Sequence, residues 1–152
     1  MKLFVELIQV ALNNRAELSH TPTDSQWQTI FALAKKQALL GITYAAIERL
    51  PVEQRPPRRL LLQWAVITER IKERNEELNS KIPAISQRFH SDGFRNLILK
   101  GQAVARYYEQ LNLHRHRTPG DVDIWFDGRR EDVITYVRQV SPDCLAVYHH
   151  ID

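Results

Sequence analysis

Two aspartates one residue apart, Asp121 and Asp123, open the apolar run "DVDIWF" near the C-terminal end of the chain. In a strand, residues i and i+2 point to the same face, with their Cα atoms roughly 6–7 Å apart. Two carboxylates at that spacing repel each other unless a cation lies between them. Mg²⁺ takes carboxylate oxygens at about 2.0–2.1 Å and keeps other coordination positions for phosphate oxygens. The pair is therefore a candidate site for a divalent cation, Mg²⁺ or Mn²⁺, beside a phosphate group.

A lysine and a glycine, Lys100 and Gly101, end an earlier apolar run, "NLILKG". The pattern predicts a strand that turns at the glycine into the helix "QAVARYYEQL". Backbone N–H groups in the first turn of a helix have no intrahelical partner and can hold a phosphate, and Lys100 adds a point charge for the same group. Because the two motifs lie at the ends of neighbouring strands, we expect the phosphate and cation sites to converge.

Each motif alone is a weak signal. An Asp-x-Asp can be a turn or capping residue followed by a surface strand residue, and a Lys-Gly carries less information still. The joint order of strand, glycine, helix, loop, arginine, Gly-Asp-x-Asp and apolar strand is much more specific. A helical scaffold with incidental aspartates is an alternative, and it would place Asp121 and Asp123 on opposite faces or far from the Gly101 turn.

The chain divides into a helical region at 1–90 and an α/β region at 91–152. Apolar residues at helical spacing predict helices through the first region, with a capping box from Thr23 to Gln26 and a helix opened by Pro56-Pro57. Pro83 lies within the longest periodic run, so a kink or a break is expected there. The second region runs through "NLILKG", "QAVARYYEQL", "DVDIWF", "REDVITYVRQV" and "CLAVYHHI". This order predicts β-α-β-α-β and an α+β fold.

The segment "HRHRTPG", which joins the predicted helix to the aspartate strand, is expected to be a polar loop with a Pro-Gly turn. Its histidines, His114 and His116, and the later pair His149-His150 lack the spacing of a zinc site. A solvated loop is therefore expected. The mixed-sign charges from Glu69 to Glu77 on the long helix likewise predict a solvated face.

The composition is that of an ordinary globular chain, with 152 residues, 43% hydrophobic and 26% charged content, and a formal net charge of +3. This mildly basic balance permits a phosphate-bearing partner without requiring one. Cys144 is the only cysteine, so no intrachain disulfide is possible. No signal-peptide pattern and no run of about eighteen apolar residues is present. These features predict a cytoplasmic protein with no membrane partner.

The stretches "LILKGQAVARYY" and "RTPGDVDIWF" resemble the uncharacterised nucleotidyltransferase family of the DNA polymerase β-like superfamily. The resemblance covers about the last third of the chain, and the N-terminal helices fit a helical region often found before this core. It implies an α+β fold, with a helical N-terminal region followed by a small mixed β-sheet and flanking helices. The core is expected to be incomplete at the C-terminus.

By this resemblance, Asp121 and Asp123 match the catalytic metal ligands of the superfamily, which bind Mg²⁺ or Mn²⁺. Gly101 matches the glycine whose strand-to-helix element grips the triphosphate. Lys100 and Arg117 match further family positions that are expected to bind nucleotide.

Two departures from the family pattern affect what is expected of the site. Gln102 stands where the superfamily usually has a second glycine or a serine, so its contact to phosphate is expected from the backbone rather than from a hydroxyl. A third carboxylate on a later strand usually completes the metal site, and none is evident before the sequence ends at Asp152. Asp152 itself fills that place only if its strand aligns with the aspartate pair.

The resemblance implies transfer of a nucleoside monophosphate from an NTP, ATP among them, to an acceptor hydroxyl, with release of pyrophosphate. The sequence does not choose among a protein, an RNA and a small molecule as the acceptor. Because the third carboxylate is not evident, the alternative is a non-catalytic nucleotide- or partner-binding module that retains the fold. An acidic residue in a following apolar strand of a longer protein would favour the enzyme, and its absence would favour the binding module.

Overall fold

In the computed structural model, which describes residues 1–141, a helical N-terminal region is followed by two strands and two helices. The elements are α1 Lys2–Ala11, α2 Asp24–Lys36, α3 Leu40–Arg49, α4 Arg58–Ser91, β1 Asn96–Leu99, α5 Gly101–Ala105, β2 Asp123–Phe126 and α6 Arg130–Val140. Two 3₁₀ helices, Val52–Gln54 and Arg106–Leu111, precede α4 and follow α5. The predicted α+β class is confirmed. The strand expected at 144–151 lies outside the described residues, as does Asp152.

The main hydrophobic core lies among the first four helices. Trp64 of α4 has no exposed surface, and Trp27 and Phe31 of α2 pack edge-on against it, with ring centroids 6.1 and 5.0 Å away. The indole N–H of Trp64 donates a hydrogen bond of 2.9 Å to the carbonyl of Leu40. This buried polar atom is therefore satisfied, as most are in stable cores. Among residues 1–141, no helix has both the length and the apolar character needed to cross a bilayer.

Local sequence signals set where the helices begin. The predicted capping box of Thr23 and Gln26 is present and opens α2, and Pro57 directly precedes α4. Of the kink or break expected at Pro83, the break is wrong, because α4 continues through it to Ser91. A proline inside a helix removes one backbone hydrogen bond. The helix nevertheless packs on both sides of Pro83, in the main core before it and against a second apolar cluster beyond it, so tertiary packing outweighs the local cost.

The second apolar cluster joins the end of α4 to β2 and α6. Phe89 of α4 contacts Phe126 of β2, with ring centroids 4.6 Å apart, and also contacts Phe94 and Tyr136 at 6.4 and 5.5 Å. The hydroxyl of Tyr136 donates to the carboxylate of Asp92, just after α4. The cluster fixes the sheet to the C-terminal half of α4.

The two strands form an antiparallel sheet in which Leu97 pairs with Trp125 and Leu99 pairs with Asp123. Side chains alternate along a strand, so these four residues share one face, and Phe126 lies on the opposite face, towards α4. Leu97, Leu99 and Trp125 are 60, 41 and 48% exposed. Asp123 therefore belongs to the outer, solvent-facing surface of the sheet.

Candidate functional site

The antiparallel ladder brings the two sequence motifs together at one end of the sheet. Leu99 pairs with Asp123, so the chain leaving β1 through Lys100-Gly101, the glycine turn, runs beside the chain that enters β2 from Asp121. A methyl group placed on Gly101 would lie 3.4 Å from the carbonyl oxygen of Asp121. The expected convergence of glycine turn and aspartates is present in the fold. A scaffold in which the aspartates lie far from the turn is not supported.

The glycine turn has an unusual backbone conformation. Lys100 has φ +46° and ψ −143°, and Gly101 has φ +23°. Non-glycine residues seldom adopt positive φ, and sparsely populated backbone regions cost about 1–3 kcal/mol and cluster at ligand-binding sites. The surrounding contacts, rather than the preferences of Lys100, therefore hold the turn in place.

The carboxylate of Asp123 has one cationic neighbour at salt-bridge distance among the described residues. The ammonium of Lys100 lies 3.7 Å from its Oδ1, and the two side chains are 77 and 43% exposed. An exposed pair of this kind contributes at most about 1 kcal/mol and is weakened by salt. Asp123 is therefore open to a stronger cation, and Lys100 can leave it at little cost.

Arg117 brings its guanidinium group to the glycine turn. Its Nη1 would lie 4.0 Å from a methyl group on Gly101. This nitrogen is buried and has no hydrogen-bond partner among the described residues. A guanidinium group is always charged and donates only, so Nη1 at this position can donate to a further acceptor, and hydrogen bonds from a charged donor to an anionic oxygen are the strongest.

The aspartate pair offers oxygen ligands on the approach to β2. Asp121 is exposed just before the strand, and Asp123 is its first residue. Within residues 1–141, no group of three or more His, Cys, Asp or Glu side chains is arranged to hold a metal ion. Mg²⁺ is commonly bound through one or two carboxylates plus substrate phosphates. The pair fits Mg²⁺ on this count, provided that a ligand supplies the remaining oxygens.

Gln102, the residue after the glycine turn, points its side chain at α4. Its Nε2 donates to Oδ1 of Asn79 at 2.8 Å and to Oδ1 of Asn75 at 3.4 Å. Sequence reasoning missed both asparagines, because it treated this part of α4 as a solvated charged face. One signal was present: Asn75 continues the row of buried residues that includes Trp64 and Ile71, where an amide is unusual.

Residues 112–118, which carry Arg117 and are called the Arg117 loop below, overlap the polar loop predicted at 114–120, but they are docked on the helices rather than free in solvent. Leu113 is fully buried in the main core, and the Thr118 hydroxyl donates to the carbonyl of Ala38 at 2.7 Å. The chain approaches Gly41 of α3 so closely that a methyl group there would lie 2.2 Å from the carbonyl oxygen of His116. The physical reason for the miss is that one leucine and a few backbone contacts dock a segment whose other residues are polar.

His116 is half-buried within the Arg117 loop, and both of its ring nitrogens are buried. Burial, followed by the nearby Lys72 ammonium, lowers the pKa of His116 to about 4. The imidazole is therefore neutral at pH 7.

The comparisons with known proteins give one match. The model of a family described as "Uncharacterised nucleotidyltransferase" matches residues 23–136. The matched range includes the glycine turn, the Arg117 loop and the aspartate pair, and it also takes in α2, α3 and α4, well before the motifs that carried the resemblance. Neither the curated proteins nor the solved structures gave a significant match.

Proposed function

The chain belongs to the uncharacterised nucleotidyltransferase family, and from that premise we propose that it binds a nucleoside triphosphate with Mg²⁺ beside Gly101, Asp121 and Asp123. In its catalytic form the protein transfers a nucleoside monophosphate to an acceptor hydroxyl. The hydroxyl oxygen bonds to the α-phosphorus, and the bond from that phosphorus to the oxygen shared with the β-phosphate breaks. Pyrophosphate leaves, and the hydroxyl proton passes to solvent.

The observation that carries this proposal is the unpartnered Nη1 of Arg117 beside the side-chain-free Gly101. A buried donor without an acceptor costs about 1–3 kcal/mol, and a phosphate oxygen removes that cost. Glycine also lets the backbone approach a phosphate closely. The neighbouring carboxylates of Asp121 and Asp123 would repel a bare anion. A triphosphate that arrives with a divalent cation satisfies both the guanidinium and the carboxylates.

Mg²⁺ suits this set of side chains, because its preferred ligands are oxygens. Asp121 and Asp123 would hold it, and when bound it polarises the phosphoryl oxygens and offsets the charge of the leaving pyrophosphate. Lys100 is then free to turn from Asp123 to a phosphate. Arg117 donates to a phosphate oxygen, and Gln102 contributes through its backbone N–H, since its side chain faces α4.

The acceptor is a protein, an RNA or a small molecule that carries a hydroxyl. We place the reaction in the cytoplasm, where a lone cysteine stays reduced. A second candidate is a nucleotide- or partner-binding module without catalysis. It is favoured by the observation that no third acidic side chain joins Asp121 and Asp123 within residues 1–141.

Calorimetric titration with each NTP, with and without Mg²⁺, tests the proposal. The site variant is Asp121→Asn/Asp123→Asn, and the matched control is Asp24→Asn/Asp132→Asn, which removes the same charge from two exposed helix-start aspartates. We expect Mg²⁺-dependent binding to the wild type and the control, and its loss in the site variant.

No binding of any NTP to the folded wild type would overturn the proposal. Equal NTP binding by the site variant and the wild type would show that Asp121 and Asp123 are not part of the binding site. If Mg²⁺·NTP binds and no pyrophosphate appears with protein, RNA or small hydroxyl acceptors, the binding module is the better account of the chain.

A further inference from the structure

We propose that Asn75 is a positioning residue, through which α4 holds the Arg117 loop and the glycine turn in register with each other. Asn75 is 1% exposed and lies in the row of α4 residues that point into the core. Burying an amide there is costly unless its polar atoms are all used. The hydrogen bonds of the Asn75 side chain therefore show which segments of the fold it holds in place.

The amide nitrogen of Asn75 holds the Arg117 loop. Its Nδ2 donates to the carbonyls of Arg117 and Arg115 at 2.7 and 2.9 Å, and a third acceptor, the carbonyl of Ile71 one turn back in α4, lies at 3.0 Å. An amide nitrogen has two hydrogens, and two of its three acceptors belong to the loop, so at least one hydrogen bond goes to the loop. The Arg117 loop is thus tied to one buried group, and the nearest of its carbonyls belongs to Arg117, the residue whose guanidinium reaches Gly101.

The amide oxygen of Asn75 faces the other half of the site. It accepts a hydrogen bond of 3.4 Å from Nε2 of Gln102, and Asn79, one turn along α4, accepts a shorter bond of 2.8 Å from the same nitrogen. Gln102 directly follows Gly101 in the chain. Asn75 therefore contacts both segments that meet at the candidate phosphate site, one through each end of its side-chain amide.

The consequence for binding, which rests on the proposed function, follows from geometry. A binding site needs its groups within about 0.5 Å of their working positions. The separation between Arg117 Nη1 and the glycine turn depends on where their two backbones are held, and Asn75 holds both. We infer that the helical region contributes to nucleotide binding without touching the nucleotide.

The test compares Asn75→Leu with Thr68→Val. Leucine keeps the size of the side chain and removes every hydrogen bond. Thr68 is equally buried in α4, and its hydroxyl has no partner among the described residues, so Thr68→Val makes a similar polar-to-apolar change away from the site. We expect Asn75→Leu to weaken Mg²⁺·ATP binding about tenfold or more. We also expect faster amide hydrogen exchange at Val104 and His116, whose N–H groups donate to the carbonyls of Lys100 and Leu113 in the two segments, with neither effect in Thr68→Val.

A double-mutant cycle separates positioning from general loss of stability. In an Arg117→Ala background, Asn75→Leu should weaken binding by a smaller factor than in the wild type, because the guanidinium that it positions is gone and only its contact with the glycine turn, through Gln102, is left to lose. Additive losses would mean that Asn75 acts on stability alone. If Asn75→Leu does not fold, Gln102→Ala tests the contact between Asn75 and the glycine turn: exchange should rise at Val104 and stay unchanged at His116.

Unchanged binding and unchanged exchange in a folded Asn75→Leu would overturn the inference. Failure of the proposed function looks different: the wild type would then bind no Mg²⁺·ATP. The exchange measurement needs no nucleotide, so it decides whether Asn75 positions the two segments in either case.

Discussion

Gly41 of α3 lies directly under the carbonyl group of His116, so that a methyl group on its Cα would stand 2.2 Å from that oxygen. Helix propensity alone favours Gly41→Ala by about 1 kcal/mol, but the methyl group cannot fit unless the Arg117 loop moves. We therefore expect Gly41→Ala to destabilise the protein by about 1–3 kcal/mol in urea unfolding and to weaken Mg²⁺·NTP binding. Gly120→Ala, where a methyl group meets open space, is the stability control and should change it little. A stabilised Gly41→Ala would contradict the close approach.

Lys100→Gly should make the protein more stable although it removes a salt bridge. Glycine adopts the φ and ψ of Lys100 freely, and the relief of strain exceeds the extra entropy of an unfolded glycine by about 1 kcal/mol. The lost pair with Asp123 is exposed and contributes little. Chemical denaturation measures the gain. Lys100→Met keeps the strained backbone and should leave stability within about 0.5 kcal/mol of the wild type, while both variants bind nucleotide more weakly. A less stable Lys100→Gly would show that the backbone is not strained.

The stability of the fold should fall as pH drops from 6.5 towards 4, through the titration of His116. Burial lowers the folded-state pKa of His116 to about 4, against an ordinary value of 6.5. Within that window the unfolded chain binds the proton and the folded chain does not, so protonation favours unfolding. Above pH 6.5 the contribution is fully present. Unfolding free energies at half-unit pH steps measure the slope, which His116→Phe should flatten between pH 6.5 and 4.5.

His20→Gln, at an exposed position, is the control for the loss of one histidine from the chain. Below about pH 4.5 the carboxylates also affect stability. The largest cause that lowers the pKa of Glu6 is a hydrogen bond from the Ser19 backbone N–H. The stability that ionised Glu6 contributes is therefore lost at still lower pH. A slope that survives His116→Phe unchanged between pH 6.5 and 4.5 would exclude His116 as its source.

Intrinsic fluorescence should report occupancy of the site through Trp125. Of the three tryptophans, Trp27 and Trp64 are 1 and 0% exposed, whereas Trp125 is 48% exposed on the sheet face that also carries Asp123. Acrylamide should therefore quench mainly Trp125, and Trp125→Phe should remove most of the quenchable emission. If Mg²⁺·NTP binds at Asp123, it should shield Trp125, since residues i and i+2 of a strand lie roughly 6–7 Å apart. If calorimetry shows binding and the quenching of Trp125 does not change, the ligand does not bind on this face of the sheet.

The elements of the fold were largely predictable from the chain, because they rest on local patterns. Apolar spacing, the Thr23 capping box and the glycine turn each describe a few neighbouring residues, and the helices and strands begin close to where those signals stand. Pro83 shows the limit of such reasoning. Its cost is local, but the packing of Trp64 before it and Phe89 beyond it is not, and the non-local contacts decide the outcome.

The sequence motif of the candidate site could be recognised in advance, but the residues that hold the motif in place, Asn75 and Gly41, could not. Gly101, Asp121 and Asp123 stand out in the sequence because their residue types and order are unusual together, and their role in binding stays a prediction. Asn75 and Gly41 act through contacts with segments about forty and seventy-five residues away in the chain, and neither residue type signals such a contact. Single-sequence patterns carry no information on which distant backbone carbonyl an amide will meet.

Helix α4 spans 34 residues without interruption and is therefore about 51 Å long. Three residues along it have different contacts: Trp64 packs in the main core, Asn75 holds the Arg117 loop at the site, and Phe89 packs in the second apolar cluster. One inserted or deleted residue between them would turn the downstream part by about 100° about the helix axis. The rotational position of α4 therefore couples the main core, the site and the second apolar cluster, and length changes inside the helix can be absorbed only in near-whole turns.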